Sequence, residues 1–227
     1  RMLIVGLTGG IATGKSTVSS IFEREGIPVM DADKFSREVV QPGEPAWAAI
    51  RREFGDEYFD DENGGVMIRE KVAKTIFSDD TKRRRLNAIV HPAVRRRMLW
   101  TTFMHFISGA SIIVLDTPLL FEVGYDRILP RTIVVWCNEE QELERLMDRD
   151  GMSEEDARAR MKAQMSIEEK KKRATVLLDN TKTKEELEKQ VLKLISDLRS
   201  SWTPTVIRAT IATVVVGFLS LIAWRVL

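Results

Sequence analysis

The chain has 227 residues, 44% of them hydrophobic, which is enough for a sizeable core in one main domain. Its 35 basic and 34 acidic residues leave a formal net charge of +1, so the chain has no broad positive field that would hold nucleic acid. The single cysteine, Cys137, excludes an internal disulfide framework and suits a reducing compartment. Because its charges nearly balance, we expect a protein that binds no nucleic acid.

The first predicted elements are a strand over residues 2–7, a glycine-rich loop and a helix that follows the loop. The loop fits the pattern G-x-x-x-x-G-K-[ST], in which backbone N–H groups and the helix N-terminus bind the phosphates of a nucleoside triphosphate. The nucleotide-binding residues predicted here are Gly9, Gly10, Ile11, Ala12, Thr13, Gly14, Lys15, Ser16 and Thr17. Lys15 would reach the β- and γ-phosphates, and Ser16 would bind Mg²⁺.

Three further apolar runs, at residues 27–30, 112–115 and 132–136, predict buried strands separated by helices. Continuous rather than alternating hydrophobicity indicates a parallel sheet covered on both faces, and thus an α/β fold of the P-loop NTPase type. Ligands bind at the carboxyl ends of such strands. Asp31 and Asp33 follow the second strand and are candidates for a base near an acceptor hydroxyl, although either could cap the next helix. Asp116 ends the third run and could hold Mg²⁺.

Two segments have helical character and few strand signals. Residues 42–105 are mostly charged, and we expect them to form a helical insert that covers the acceptor substrate. Residues 139–164 form a candidate lid in which Arg145 and Arg149 share one helix face. Facing the P-loop, these arginines could neutralise the transferring phosphoryl group; facing water, they would pair with Glu142 or Asp148. The basic run 170–173 could be a solvated helix face or could help to hold an anionic substrate.

The last predicted element is a hydrophobic helix. Residues 209–224 carry no charge and lie between Arg208 and Arg225. Sixteen residues span roughly 24 Å, slightly less than the bilayer core of roughly 30 Å, and flanking arginines can reach the interfaces. We expect residues 203–227 to be a C-terminal transmembrane anchor that leaves the catalytic domain, residues 2–200, facing the cytosol. The alternative is a helix that lies on a surface or mediates oligomerisation, and neither the organelle nor the oligomeric state follows from the sequence.

Six segments of the chain, in order and spacing, resemble the dephospho-coenzyme A kinase family. They are residues 7–16, 31–33, 39–43, 91–92, 118–122 and 177–180. The resemblance implies an enzyme that transfers the γ-phosphate of ATP, with Mg²⁺, to the ribose 3′-hydroxyl of dephospho-coenzyme A. It also implies a core, a lid and a helical substrate domain.

The resemblance also assigns catalytic roles. Asp33 matches the family's proposed base, and Asp31 is then a supporting carboxylate on the substrate side. Arg145 and Arg149 match lid arginines that act in catalysis together with Lys15.

Substrate contacts follow from the same resemblance, each with a plainer alternative. His91 would line the acceptor site, or it could simply fix a loop before a proline. Pro118, Leu120 and Phe121 resemble a substrate-side loop, although Leu120 and Phe121 could equally belong to the core. Asp179 and Asn180 match an adenine-contacting loop, or an ordinary turn.

Two other functions use the same phosphate loop. A nucleoside or nucleoside-monophosphate kinase would phosphorylate a smaller acceptor, but the helical insert and the segment 91–92 argue against it. A membrane-tethered nucleotide-binding switch would recruit partners and turn over little. The guanine-reading tetrapeptide N-K-x-D, which would support a GTPase switch, does not occur in the sequence.

Overall fold

A computed structural model describes residues 2–200, without the side chains of residues 76–78. The chain divides into two compact units, one built from the residues up to Val29 and from His105 onward, the other from Met30–Met104. The first part of the chain forms β1 (Leu3–Gly9), α1 (Lys15–Arg24), β2 (Val29–Asp31), α2 (Ala32–Glu38), α3 (Pro45–Phe54), β3 (Phe59–Asp60), β4 (Val66–Met67), α4 (Arg69–Ser78) and α5 (Asp80–Ile107). The remainder forms β5 (Ile112–Asp116), β6 (Arg131–Trp136), α6 (Glu139–Asp150), α7 (Glu154–Lys162), α8 (Ile167–Arg173), β7 (Val176–Asp179) and α9 (Lys184–Ser200).

The larger sheet has the strand order β2-β5-β1-β6-β7. Strand β1 pairs in parallel with β5 and β6, and β6 pairs in parallel with β7. The register sets Leu7 beside Asp116 and Gly9 beside Val135. The carboxyl ends of these strands therefore share one edge of the sheet, and the glycine-rich loop leaves β1 at that edge.

Helices cover both faces of this sheet. All five residues of β5 are buried. On one face, Leu7 packs with Phe22 of α1 and Val191 of α9. On the other face, Val134 packs with Leu120, and Ile167 of α8 lies against them. Each fully buried side chain of this size contributes about 1.5–3 kcal/mol. The prediction of an α/β fold with a parallel sheet flanked by helices is confirmed.

The second unit has a small core of its own. Helices α3, α4 and α5 and the β3–β4 hairpin contribute to it, and its buried residues are Val39, Val40, Ile50, Tyr58, Phe59, Val72 and Leu86. The predicted insert, about residues 42–105, corresponds to most of this unit, which begins at Met30. Its role in covering the acceptor stays a prediction.

Helix α5 continues through Pro92, and His91 and Pro92 therefore lie inside a helix of 28 residues. The alternative that His91 fixes a loop is wrong. A proline removes one intrahelical hydrogen bond, but apolar side chains on both sides of it, Leu86 before and Val94 after, pack into the core of the second unit. This packing offsets the lost hydrogen bond.

Among residues 2–200, no helix combines the length and the apolar character that a bilayer crossing requires. The predicted hydrophobic anchor, residues 203–227, lies outside the described residues.

Candidate active site

The glycine-rich loop turns through two left-handed residues, Ala12 at φ 59° and Gly14 at φ 93°. Position 14 requires glycine because side chains disfavour this conformation, and because a Cβ there would collide with the side chain of Asn180. That side chain supports the loop: Asn180 Nδ2 donates a hydrogen bond to the Thr13 carbonyl over 2.8 Å. Thr13 Oγ1 in turn donates to the carbonyl of Gly10 over 3.0 Å. One contact from Asn180 and one within the loop thus fix the conformation of the loop.

The predicted phosphate lysine and the predicted metal carboxylate are neighbours. Lys15 Nζ lies 2.5 Å from Asp116 Oδ1. Ser19 Oγ donates to Asp116 Oδ2 over 2.6 Å. Asp116 is buried, and the parallel register with β1 brings it to the loop. Ser19 was not predicted, although its position one helical turn after Lys15 was a usable signal.

Ser16 and Asp116 are the residues that could hold a metal ion. Ser16 is in the first turn of α1, next to Lys15, and its side chain is exposed. One hydroxyl and one carboxylate form an oxygen donor set that suits Mg²⁺, which usually binds one or two protein ligands together with phosphates and waters. The two residues therefore fit the predicted ion by their chemistry.

Glu142 lies buried against the loop, which the sequence did not predict. It is 5% exposed and accepts a hydrogen bond from the backbone of Ile11. A Cβ on Gly10 would fall 2.5 Å from Glu142 Oε1, so the carboxylate packs directly on this glycine. Burial raises the pKa of Glu142 to about 7, although the Lys170 ammonium and the Ile11 hydrogen bond act to lower it. The carboxyl group therefore titrates near neutral pH.

Lys170 is fully buried beside the same loop. Its Nζ donates to the Gly9 carbonyl over 3.1 Å and to the Pro118 carbonyl over 2.8 Å, and lies 3.4 Å from Glu122 Oε1. Burial lowers the pKa of Lys170, and the carboxylates of Glu122 and Glu142 oppose this shift. The alternative of a solvated helix face is wrong for this lysine. The signal was its spacing from two apolar residues of the same helical face, at positions 167 and 174.

A cavity of about 420 Å³ opens beside the loop, between α1 and the segment from Asn180 to α9. Arg145 lines it, and its Nη2 donates to the Asn180 carbonyl over 3.1 Å. Arg149 instead donates to Asp150 from Nε over 2.8 Å and from Nη2 over 3.0 Å. The structure thus separates the two predicted lid arginines, with Arg145 on the cavity wall and Arg149 in a surface ion pair.

The other predicted ATP-binding residues lie in the first unit with the loop. Gly9 ends β1, and Thr17 of α1 lines the cavity. Asp179 ends β7, where its Oδ1 accepts the Thr181 backbone N–H over 2.8 Å. Asp179 therefore shapes the turn, while the adjacent Asn180 supports the loop and lines the cavity.

The predicted base, Asp33, and two predicted substrate-binding residues, Asp31 and His91, belong to the second unit. Asp31 caps α2, because its Oδ1 accepts the backbone N–H groups of Asp33 and Lys34 over 2.8 and 3.0 Å. This is the capping alternative that the sequence left open. Asp33 lies in the first turn of α2, and His91 is exposed on α5. Their roles in catalysis and acceptor binding stay predictions.

The segment after β5 is mainly part of the core. Leu120 and Phe121 are buried, which favours the core alternative for both. The Pro118 carbonyl accepts hydrogen bonds from Thr8 Oγ1 over 3.1 Å and from Lys170. This segment is therefore tied to the phosphate loop through its backbone.

A parallel sheet, a left-handed glycine loop between β1 and α1, and a lysine beside a strand-end carboxylate define a P-loop nucleotide-binding protein. The family model described as dephospho-CoA kinase matches residues 3–186. A dephospho-CoA kinase domain-containing protein of Danio rerio is 42% identical over 226 residues, covering 99% of this chain and 98% of that protein. The dephospho-CoA kinase of Arabidopsis thaliana is 43% identical over 198 residues, covering 87% and 84%.

A solved structure agrees with this assignment. The dephospho-CoA kinase from Campylobacter jejuni has a TM-score of 0.66 and 26% sequence identity, covering 86% of this chain and 96% of that one. The chain belongs to the dephospho-CoA kinase family. The resemblance inferred from the sequence is confirmed.

Proposed function

We propose that this protein transfers the γ-phosphate of ATP to the ribose 3′-hydroxyl of dephospho-coenzyme A, which yields coenzyme A and ADP. Membership of the dephospho-CoA kinase family supports the pair of substrates. The observation that carries the transfer chemistry is the 2.5 Å approach of Lys15 Nζ to Asp116 Oδ1 beside the glycine-rich loop. This contact supports the proposal, because Lys15 would bind phosphate and Asp116 would hold the metal ion.

The P-loop residues would bind the triphosphate. Backbone N–H groups of the loop and the N-terminus of α1 favour negative charge, and Lys15 would add a direct contact to the β- and γ-phosphates. Ser16 and Asp116 would hold Mg²⁺, which neutralises charge that develops on the phosphate oxygens. Lys15 would then exchange part of its contact with Asp116 for contacts with phosphate.

Asp33 is our proposed base. The 3′-oxygen forms a bond to the γ-phosphorus while the bond from that phosphorus to the β,γ-bridging oxygen breaks. The hydroxyl proton passes to the Asp33 carboxylate, and ADP leaves. Asp31 would be a supporting carboxylate on the side of the acceptor substrate, and His91 would lie beside that substrate. The lid arginines Arg145 and Arg149 would stabilise the transferring phosphoryl group.

The Asp33→Asn variant tests the proposed base. A general base contributes about 10² to 10⁴ in rate, so kcat should fall by that factor while the ATP dissociation constant changes little. Asp80→Asn, at another exposed aspartate in a first helical turn, is the matched control. Equal losses of kcat and ATP affinity in Asp33→Asn would argue against the base.

The acceptor is tested with the full chain, labelled ATP, Mg²⁺ and three candidates: dephospho-coenzyme A, adenosine and AMP. We expect label in coenzyme A alone. Transfer to adenosine or AMP alone would favour a nucleoside or nucleoside-monophosphate kinase instead. ATP binding without transfer to any acceptor would favour a nucleotide-binding switch.

We also propose that the terminal apolar segment attaches this enzyme to a membrane. Residues 209–224 carry no charge, and the match to the Danio rerio relative covers 99% of this chain. The last part of α5 exposes Leu99, Trp100, Phe103, Met104, Phe106 and Ile107. Aromatic and aliphatic side chains after the basic run 95–97 are typical of a helix at a lipid interface.

Fractionation of cells that produce the full chain tests the anchor. We expect the protein in the membrane fraction after extraction with carbonate, and release only by detergent. A variant without residues 203–227 should move to the supernatant and keep its kinase activity. Release of the full chain by carbonate would contradict a transmembrane anchor.

A further inference from the structure

Lys170 makes an unusual set of contacts for a lysine. Its ammonium group is fully buried and donates to two backbone carbonyls that are distant in sequence, those of Gly9 and Pro118. Gly9 is the last residue of β1, and Pro118 follows the metal-binding candidate Asp116 by two residues. The ammonium therefore joins the entrance of the phosphate loop to the segment that carries the carboxylate.

From this geometry we infer that Lys170 is a positioning residue for phosphoryl transfer, which fixes Asp116 relative to the phosphate loop. The inference rests on the proposed kinase function. Lys170 acts through backbone carbonyls of two active-site segments, and we assign it no contact with either substrate. Its effect on catalysis is therefore indirect.

A purely structural role explains the contacts less well. An isolated buried ammonium is strongly unfavourable, and an apolar residue of similar volume often serves stability as well or better. The negative partners of Lys170 are Glu122, at 3.4 Å, and Glu142, which lies on Gly10 of the same loop. Both the ammonium and its partners thus lie around the phosphate loop and the segment 118–122. That location points to a role in holding these two segments in register.

Loss of the ammonium should affect the reaction more than the binding of ATP. The loop keeps its N–H groups and its support from Asn180, so phosphate binding should persist. Asp116 would keep its contacts with Lys15 and Ser19 but would lose the constraint that acts through Pro118. A displacement of about 1 Å in a catalytic group can reduce the rate about 10²-fold. We therefore expect a lower kcat and a higher Mg²⁺ requirement, with a small change in the KM for ATP.

The experiment compares Lys170→Met with Lys172→Met in the full chain. Lys172 is exposed on the same helix, so its variant is the matched control. For Lys170→Met we expect kcat to fall about tenfold to hundredfold and the Mg²⁺ concentration for half-maximal activity to rise at least threefold. The KM for ATP at saturating Mg²⁺ should change by less than about threefold. Lys170→Arg, which keeps charged donors, should recover part of kcat.

Two further measurements keep these outcomes interpretable. Thermal unfolding shows which variants are folded at the assay temperature. If Lys170→Met is unfolded there, Lys170→Gln replaces it and is judged by kcat, by the Mg²⁺ concentration for half-maximal activity and by the KM for ATP. The Mg²⁺ requirement can also be measured through the binding of a fluorescent ATP analogue, which needs no acceptor. This measurement tests the Lys170 inference even if the wild-type protein fails to phosphorylate dephospho-coenzyme A. A folded variant with wild-type kcat and Mg²⁺ dependence would overturn the inference. A loss of kcat that only matches the loss of folded protein, with an unchanged Mg²⁺ requirement, would overturn it as well.

Discussion

Replacing Glu142 by glutamine should change how the stability of this protein depends on pH. The Glu142 carboxyl group is 5% exposed and packs against Gly10. Burial raises its pKa from 4.5 to about 7. Between pH 4.5 and about pH 7, the Glu142 carboxyl group has lost its proton in the unfolded chain but still holds it in the folded chain. The free energy of unfolding therefore falls as the pH rises. Each unit of pKa difference corresponds to about 1.4 kcal/mol, which gives a total of about 3 kcal/mol.

Glutamine keeps an oxygen that can accept the hydrogen bond from Ile11 but does not ionise. The free energy of unfolding of the wild type, relative to Glu142→Gln, should therefore fall by about 2 to 3 kcal/mol between about pH 5 and pH 8. Urea unfolding of the full chain at several pH values measures this difference. Glu140→Gln, at an exposed position of the same helix, is the control and should show a much smaller pH dependence. A difference that is constant with pH, or that rises with pH, would refute the reasoning.

Three other substitutions test the site. Gly14→Ala should greatly weaken ATP binding, measured by calorimetry, because the backbone is left-handed and the new Cβ would clash with Asn180. The control is Gly26→Ala, where the backbone is also left-handed but the space around the Cβ position is open. This control should lower the free energy of unfolding by only about 1–2 kcal/mol. Asp116→Asn should raise the Mg²⁺ concentration for half-maximal activity and lower kcat, and an unchanged Mg²⁺ titration would count against its assignment as a metal ligand. Arg145→Met should lower kcat about 10²-fold, as expected when one group that stabilises the transferring phosphate is lost. A rise in the KM for ATP with unchanged kcat would instead favour a role in ATP binding alone.

The sequence predicted what depends on local pattern. The phosphate loop could be found because its glycines, lysine and serine are contiguous and lie between a strand and a helix. The buried strands could be found because both faces of a covered parallel sheet select apolar residues. Asp116 followed from its place at the end of one of these strands.

Features that depend on side-chain direction were missed. Lys170 lies in a run of four basic residues, and composition alone favours solvent for such a run. Glu142 looked like a surface partner for the lid arginines, but the helix turns it toward Gly10. The alternative that His91 fixes a loop before Pro92 failed because apolar packing on both sides of Pro92 preserves α5.

Identification of the product tests the central claim most directly. The full chain is incubated with ATP, Mg²⁺ and dephospho-coenzyme A, and the phosphorylated product is examined by ³¹P NMR. We predict one new phosphomonoester on the ribose 3′-oxygen, formed in equal amount to ADP. ADP formation without that phosphomonoester, or a phosphate at another position of the acceptor, would contradict the proposed reaction.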